Sequence, residues 1–497
     1  MKLRTTLLGI STGGVLVSVV NTEDAQLMDL HSQDRLKLIK DDKIDTVITN
    51  TGTCDCSVQP GTIGVFKEAA ESLGLHEGDY VDVQMARKPL SLDYIKKKLQ
   101  GLVLSGDEIR QIIWDIVHNK LSEIELTYFV AACYTNPLNS RETVDLVKAM
   151  TEEGEIFSID RYPIVDKHCI GGVAGNRTSM LIVPILAAAG CTIPKTSSRS
   201  ITSPAGTADT MEVLCDVNQG LEKMKHLVEK HNGCLVWGGS LNLAPADDKI
   251  IHVEKPLVID ARSQLLASIL SKKLSVSSTH ILIDIPVGPE AKFSSMEEAK
   301  SLKEDFEKMS DKLGVTIRAV ITDGSAPIGR GIGPALEARD VLWVLENDER
   351  QPGDLREKAR RLAGIMLEMA GKARERSGEE LARSILADGR AHKTFLDIIR
   401  SQGARCETPD NIHISEYVHE FKAGRSGTVR EIRNQAIAKI ARIAGAPLNH
   451  GAGLMLEKKV GEQVEEGEVL FRIYGGSEIR LQNAVDIANS YDSYVID

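Results

Sequence analysis

Aromatic residues are scarce: Phe, Trp and Tyr make up 4% of the 497 residues. That scarcity argues against the stacking platforms on which single-stranded nucleic acid is held. A basic surplus is lacking too. Sixty Lys and Arg face 71 Asp and Glu, a formal charge of −11. No general basic surface draws a polyanion, so nucleic acid is not an expected partner and any phosphate site must be local. The eight cysteines, at 54, 56, 133, 169, 191, 215, 234 and 406, include no C-x-x-C pair, so no structural zinc signature is present. Cys54 and Cys56 in "TGTCDCS" are the one close pair. They read as small loop or strand residues, with metal or redox chemistry as the alternative. Free thiols are expected.

Long apolar runs are missing as well. "MLIVPILAAAG", Met180 to Gly190, falls far short of the ~20 residues of a membrane span. The start, "MKLRTTLLGISTGGVLVSVVN", imitates a signal peptide, but Thr, Ser and Gly dilute its apolar run, and "GGVLVSVVN" predicts a strand. The expectation is a cytoplasmic protein with no membrane partner.

What is present divides into four segments of a multidomain α/β chain. Residues 1–85 alternate as short strands with glycine turns, as in "DTVITNTG" and "GDYVDVQMA"; "TIGVFKEAAESLGL" between them predicts a helix. Residues 86–155 form a helical domain, completed by a later segment near 245–280. Within it "SGDEIRQIIWDIVHNK" opens with a capping box, Ser105 to Glu108, and sets Ile109, Ile112, Ile113, Ile116 and Val117 on one face. Residues 156–420 alternate strands such as "HILIDIPVG" and "TIRAVITDG" with helices, which predicts a large α/β domain with a parallel or mixed sheet covered on both faces. Residues 421–497 return to strands and glycine turns, an α+β C-terminal domain.

Two loops carry the chemistry. In "KHCIGGVAGNRTS" Gly171 and Gly172 let backbone N–H groups approach a ligand with no Cβ in the way. Lys167 adds charge, and Thr178 and Ser179 open the following helix, where anions are favoured. A plain glycine turn is the alternative, since this is neither a Walker A nor a Rossmann pattern. His168 is a candidate base, with a hydrogen-bonded structural role preferred. "TSSRSITSPAGTADT", Thr196 to Thr210, is rich in hydroxyls around Arg199 and poor in bulky side chains: a cradle for a polyoxygen ligand, or else a solvated loop. "GRGIG", Gly329 to Gly333, lacks dinucleotide spacing and predicts helix–strand packing with a helix from Pro334. In "VIDARSQLLASILSKK" Asp260 is expected at the end of a short apolar strand, before a helix bearing Ser268, Lys272 and Lys273. From these residues alone a helix N-cap is the preferred role, and a working acid, which its apolar flanks would suit, is the alternative.

"KHCIGGVAGN", "SSRSITSPAGTADTMEVL", "ASILSKKL" and "GRGIGPALEARD", in that order, resemble the blocks of the thymidine and pyrimidine-nucleoside phosphorylases, whose catalytic fold is shared by anthranilate phosphoribosyltransferase. The departures matter. Ser200 stands where those enzymes have Gly or Ala, and Pro204 where they have Thr or Ala. Val253 takes the place of their base-holding arginine, and "DIPVGPEAKF" replaces their lysine-containing strand end. With the added front segment, these features look like the archaeal AMP phosphorylase branch. The resemblance implies AMP and phosphate as partners, giving adenine and ribose 1,5-bisphosphate, with CMP and UMP as further candidate substrates. It implies Asp260 as proton donor, and nucleotide binding by Gly172, Ser198, Arg199, Ser200, Ile201, Thr202, Ser203, Thr207, Ser268 and Lys292. It implies phosphate binding by Lys167, Gly171, Ser179 and Ser197. It also implies a double-psi β-barrel in front, a lipoyl-like sandwich at the tail without a lipoylation motif, a homodimer or higher homo-oligomer, and no metal or organic cofactor. Pyrimidine-nucleoside phosphorolysis is the alternative, then phosphoribosyl transfer, which would want an acidic pair for Mg²⁺ that the glycine loop lacks, and last a non-catalytic scaffold.

Overall fold

A computed structural model describes all residues except 54–57, 201–202, 258 and 260. Cys54, Cys56, Ile201, Thr202 and Asp260 therefore lie outside the described residues. The chain divides into two compact units, residues 1–154 with 244–271, and residues 155–243 with 272–497.

The first unit opens with strands β1 (Lys2–Leu7), β2 (Val17–Asn21), β3 (Arg35–Lys40), β4 (Lys43–Gly52), β5 (Thr62–Val65) and β6 (Tyr80–Met85). They close into a barrel in the order β1-β5-β2-β4-β3-β6. Closure leaves no edge strand for unwanted pairing. Inside, alternate residues of the strands pack with Leu73 of the helix Lys67–Leu73: Leu3, Val20, Leu36, Leu38, Val47, Ile63, Val65, Val81 and Val83. The helix expected over "TIGVFKEAAESLGL" begins only at Lys67. Its first residues are β5, because Thr62 and Ile63 are β-branched and Gly64 packs against Val58, where an added Cβ would come within 2.6 Å.

Helices Ser91–Leu99, Gly106–Val117, Glu123–Thr135 and Ser140–Glu152 follow. Ser105, Ser122 and Asn139 each close a capping box with the Glu three residues on. Ile109, Ile112, Ile113 and Ile116 are buried, as the periodicity predicts, while Val117 is half-buried. The later segment joins this bundle through the helix Pro245–Leu257. Its Lys249 Nζ donates to the Ile116 and Val117 carbonyls at 2.9 and 2.6 Å, capping the helix before it.

The second unit holds β7 (Val165–Cys169), β8 (Ile193–Ser197), β9 (Gly233–Trp237), β10 (His280–Val287) and β11 (Thr316–Asp323). Pairings β11-β10-β7 and β8-β9 are parallel, and a parallel bridge joins Ile164 to Thr192. Of the parallel or mixed sheet expected here, these pairings are the parallel form. Between neighbouring strands the chain crosses over through helices such as Thr178–Ala188 and Met296–Lys308, long enough to return each strand in the same direction. Thr178–Ala188 is buried all round, which accounts for its unbroken apolar sequence. Helices Pro334–Glu346, Gly353–Met369, Gly378–Ala387 and Arg390–Ser401 pack around it. Pro334 begins its helix at the first turn.

The tail holds β12 (Gly331–Ile332), β13 (Tyr417–Lys422), β14 (Gly427–Ile432), β15 (Gly453–Leu456), β16 (Gln463–Val464), β17 (Val469–Gly475) and β18 (Tyr494–Ile496). They form two small sheets, β12-β15-β17-β13 and β16-β14-β18, around Leu454, Phe471, Ile473 and the helix Asn434–Ala444. Among the described residues no helix is long and apolar enough to cross a membrane, and the six described cysteines are free.

Candidate active site

The glycine loop leaves the C-terminal end of β7, where parallel sheets place their ligands. Gly171 and Gly172 have φ of 99° and 87°, a region side chains avoid. Around Gly171 an added Cβ would meet nothing within 4 Å, so its backbone lies open; at Gly172 it would sit 2.4 Å from the backbone N of Lys292. The fold therefore joins two of the predicted residues, Gly172 and Lys292, across the ends of β7 and β10.

Beneath this loop three buried lysines and one half-buried lysine, Lys358, share two buried aspartates. Lys167 Nζ donates to Thr178 Oγ1 at 2.9 Å and lies 3.6 Å from Asp284 Oδ2; Lys358 Nζ reaches the same oxygen at 3.4 Å. Thr322 donates to Asp284 Oδ1 at 2.6 Å. Asp166 accepts from Lys273 Nζ at 2.5 Å and stands 3.6 Å from Lys195 Nζ. Cations in excess of anions at low dielectric make an environment that an anion relieves. Burial pushes Lys195 down to about 7 against the pull of Asp166, with Lys273 and Lys167 adding to the fall. Desolvation, then Lys273, Lys195, Lys167 and Lys272, drives His168 well below its ordinary value, so its imidazole is neutral.

The hydroxyl loop follows β8. Ser197, ending that strand, donates to the Val236 carbonyl at 3.2 Å. Asp209 shapes the loop by accepting from the N–H groups of Ser200 and Gly206 at 2.7 and 2.8 Å. Ser203 donates to Ala205 O at 3.0 Å, and the Ser200 hydroxyl bonds back onto Ser203. Arg199, expected as a ligand, has its guanidinium on Glu212 at 2.5 and 2.9 Å and over the Trp237 ring at 4.8 Å. Ser198 accepts from Ala208 N–H through its carbonyl at 3.3 Å. Thr207 heads the helix Thr207–Leu214, and Arg177 donates to its hydroxyl at 3.2 Å. Ser179 is buried in the helix that follows the glycine loop.

The first unit holds the remaining candidates. Ser268 lies on the helix Arg262–Leu274, and its hydroxyl donates to Asp247 Oδ2 at 2.9 Å. Of the apolar strand expected to end at Asp260, Val258 and Asp260 lie outside the described residues; residues 245–257 ahead of it are helical, Pro256 being accommodated in the last turn. Leu265 N–H donates to Ala261 O at 2.9 Å, the first bond of the next helix. Val253, expected in the place of a base-holding arginine, is buried. Among the described residues no three His, Cys, Asp or Glu side chains cluster as metal ligands would.

Asp166, Asp284, Lys195, Lys358, Asp209 and Arg177 escaped the sequence reading. A lone carboxylate inside an apolar strand, as in "HILIDIPV", is the signal that marks Asp284.

Comparison with known proteins agrees with this architecture. Family profiles match residues 92–154 (glycosyl transferase family, helical bundle domain), 161–392 (glycosyl transferase family, a/b domain) and 428–494 (pyrimidine nucleoside phosphorylase C-terminal domain). The crystal structure of anthranilate phosphoribosyltransferase from Thermus thermophilus superposes with a TM-score of 0.52 at 20% identity, covering 62% of this chain and 99% of that one; that likeness is one of fold. AMP phosphorylase of Methanococcus maripaludis is 44% identical over 95% of this chain and 93% of its own. Those of Pyrococcus furiosus and Thermococcus kodakarensis are 44% and 45% identical, covering 100% and 98% of this chain and 98% and 96% of theirs. With that identity held across helical bundle, α/β domain and C-terminal domain alike, the chain belongs to the AMP phosphorylase family.

Proposed function

We propose that the protein is a pentosyltransferase that phosphorolyses AMP, with CMP and UMP as further candidate substrates, to free base and ribose 1,5-bisphosphate in nucleotide degradation and salvage. The observation that carries this reading is the pairing of two loops, one rich in glycine and one in hydroxyls, with four lysines that share only two aspartates. AMP brings one phosphate and the nucleophile a second, whereas a nucleoside brings none. Near full-length identity to proteins named AMP phosphorylase supports the same substrate.

The C1′–N bond stretches ahead of nucleophilic attack, and the sugar takes on oxocarbenium character. Phosphate held by Lys167, the Gly171 backbone, Ser179 and Ser197 stabilises that charge and is already in position to bond C1′. Gly172, Ser198–Ser203 (Ile201 and Thr202 among them), Thr207, Ser268 and Lys292 hold the nucleotide. Arg199, engaged by Glu212, contributes there through its backbone. Asp260 gives its proton to the departing base, so adenine leaves neutral. No cofactor takes part in these steps.

The same reading divides the chain into domains at 1–85, 86–155 with the later segment, 156–420 and 421–497. It takes the closed barrel as double-psi, the tail as a lipoyl-like sandwich and the protein as a cytoplasmic homo-oligomer. Val253 argues against pyrimidine-nucleoside phosphorolysis. The test is release of base from AMP, adenosine and thymidine, each with phosphate at equal concentration. AMP is cleaved far faster than either nucleoside; comparable rates on thymidine and AMP would return the protein to the nucleoside enzymes.

A further inference from the structure

Arg177 stands between the two anion loops. It is the last residue before the helix Thr178–Ala188, and its side chain is nine-tenths buried. Its Nε donates to Glu337 of the helix Pro334–Glu346, which also accepts from Gly333 N–H at 3.0 Å. One arm of the fork donates to Ala205 O at 2.6 Å and the other to Thr207 Oγ1 at 3.2 Å. Glu337 thus fixes the guanidinium, and the guanidinium fixes the end of the hydroxyl loop against the end of the glycine loop.

The bond to Thr207 has a direction. A guanidinium only donates, so Thr207 Oγ1 accepts from Arg177 with one lone pair. Among the described residues no acceptor takes the Thr207 proton. That proton is left for a ligand oxygen, and the fixed guanidinium restricts where the hydroxyl can aim it. Lysine could meet the Glu337 charge but not hold all three partners, because its ammonium is a point charge and not a planar fork.

We propose that Arg177 is a positioning residue, acting through Thr207, that presets this hydroxyl to donate to an anionic oxygen of the substrate and holds the two loops in one register. The proposal rests on the AMP reading above and names a residue which that reading does not use. A purely structural Arg177 would serve only as the counter-charge of Glu337, and its loss would be felt in stability alone.

The experiment is a double-mutant cycle in the full-length protein, with kcat/KM for AMP and thermal stability as readouts. Arg177→Lys keeps a cation beside Glu337 and removes the fork; Thr207→Val removes the hydroxyl. Each alone lowers kcat/KM by roughly 10- to 100-fold, the worth of a hydrogen bond to a charged group. The double variant is no worse than the poorer single variant, because both act through one bond. Thr207→Ser, which keeps the hydroxyl, recovers most of the kcat/KM that Thr207→Val loses. Losses that multiply in the double variant, or an Arg177→Lys protein of wild-type kcat/KM, overturn the proposal. If Arg177→Lys does not fold, Arg177→Met with Glu337→Gln leaves no buried charge unpaired and carries the same cycle. A wild-type protein that releases no adenine from AMP removes the functional reading itself; an active one with multiplying losses removes only the role of Arg177.

Discussion

Gly172 and Lys292 meet backbone to backbone: a Cβ on Gly172 would lie 2.4 Å from Lys292 N, where nothing can yield without moving the chain. Gly171, with a φ of 99°, faces open space instead. Alanine at either position carries left-handed strain of about 1–2 kcal/mol. Gly172→Ala must in addition push the Lys292 segment away. Both variants should lose a few degrees of Tm, but Gly172→Ala should also raise KM for AMP at least about tenfold, one hydrogen bond's worth or more. Equal KM values in the two variants would contradict the contact.

Asp284 invites an acid-stability measurement. Burial pushes its carboxyl up, but Lys167, then Lys358, and the Thr322 hydroxyl outweigh that and hold it below the ordinary 3.8. A carboxylate depressed in the folded state stabilises it fully above 3.8 and loses that contribution as pH falls through the folded value. Asp284→Asn should therefore be less stable at pH 7 by about 3–5 kcal/mol, the cost of breaking a buried pair. It should also lose less than wild type between pH 4 and pH 2 in denaturant titrations. A variant with the full acid slope would move that role to another carboxylate.

Lys195 runs the opposite way. Its folded value of about 7 lies below the ordinary 10.5, so the unfolded chain binds the extra proton between those limits. Wild-type stability then climbs with pH from about 7 to 10.5, and below 7 burial of the charged lysine costs its full amount. Lys195→Met should flatten that climb. If the slopes match, this lysine stays charged beside Asp166.

The residues explain why these groups were hard to read in advance. Ser105 and Glu108 sit three apart, and Ile109, Ile112, Ile113 and Ile116 repeat on one face, so the helix was legible from local spacing. The strands over 280–287 and 316–323 were legible from their apolar runs. Asp166 and Lys273 are 107 residues apart, and Arg177 and Glu337 160; no local period encodes such pairs. Residues before Asp260 read as a strand because Val258 and Ile259 are β-branched; Val258 and Asp260 lie outside the described residues, and the helix from Pro245 ends just ahead of them at Leu257. The family signature, by contrast, was contiguous, and so the activity was more legible than the electrostatics beneath it.

The expected assembly can be tested on the helix Glu123–Thr135. Ile124 and Tyr128, four residues apart on one face, are 64% and 56% exposed, and together they offer apolar surface that a second copy could cover. A homodimer covering this face is expected, giving at least twice 54.2 kDa in light scattering at micromolar concentration. Ile124→Glu with Tyr128→Glu should yield the monomer. A wild-type particle of 54.2 kDa would refute the dimer.

The proton donor can be separated from a merely structural carboxylate. If Asp260 serves only to cap the helix Arg262–Leu274, Asn should serve nearly as well. Asn can replace most hydrogen bonds of an aspartate but cannot deliver a carboxylic proton. Asp260→Asn should therefore fold with a Tm near wild type and bind AMP as well, while turnover falls by roughly 10²–10⁴, the usual worth of general acid catalysis. Lys292→Ala should do the reverse, raising KM for AMP more than it lowers kcat, because binding lost equally in ground and transition states appears in KM. The pH profile adds a second readout: the limb of kcat that reports loss of the acid's proton should vanish in Asp260→Asn and persist in Lys292→Ala. A folded Asp260→Asn protein with near wild-type kcat would take the acid role away from this residue.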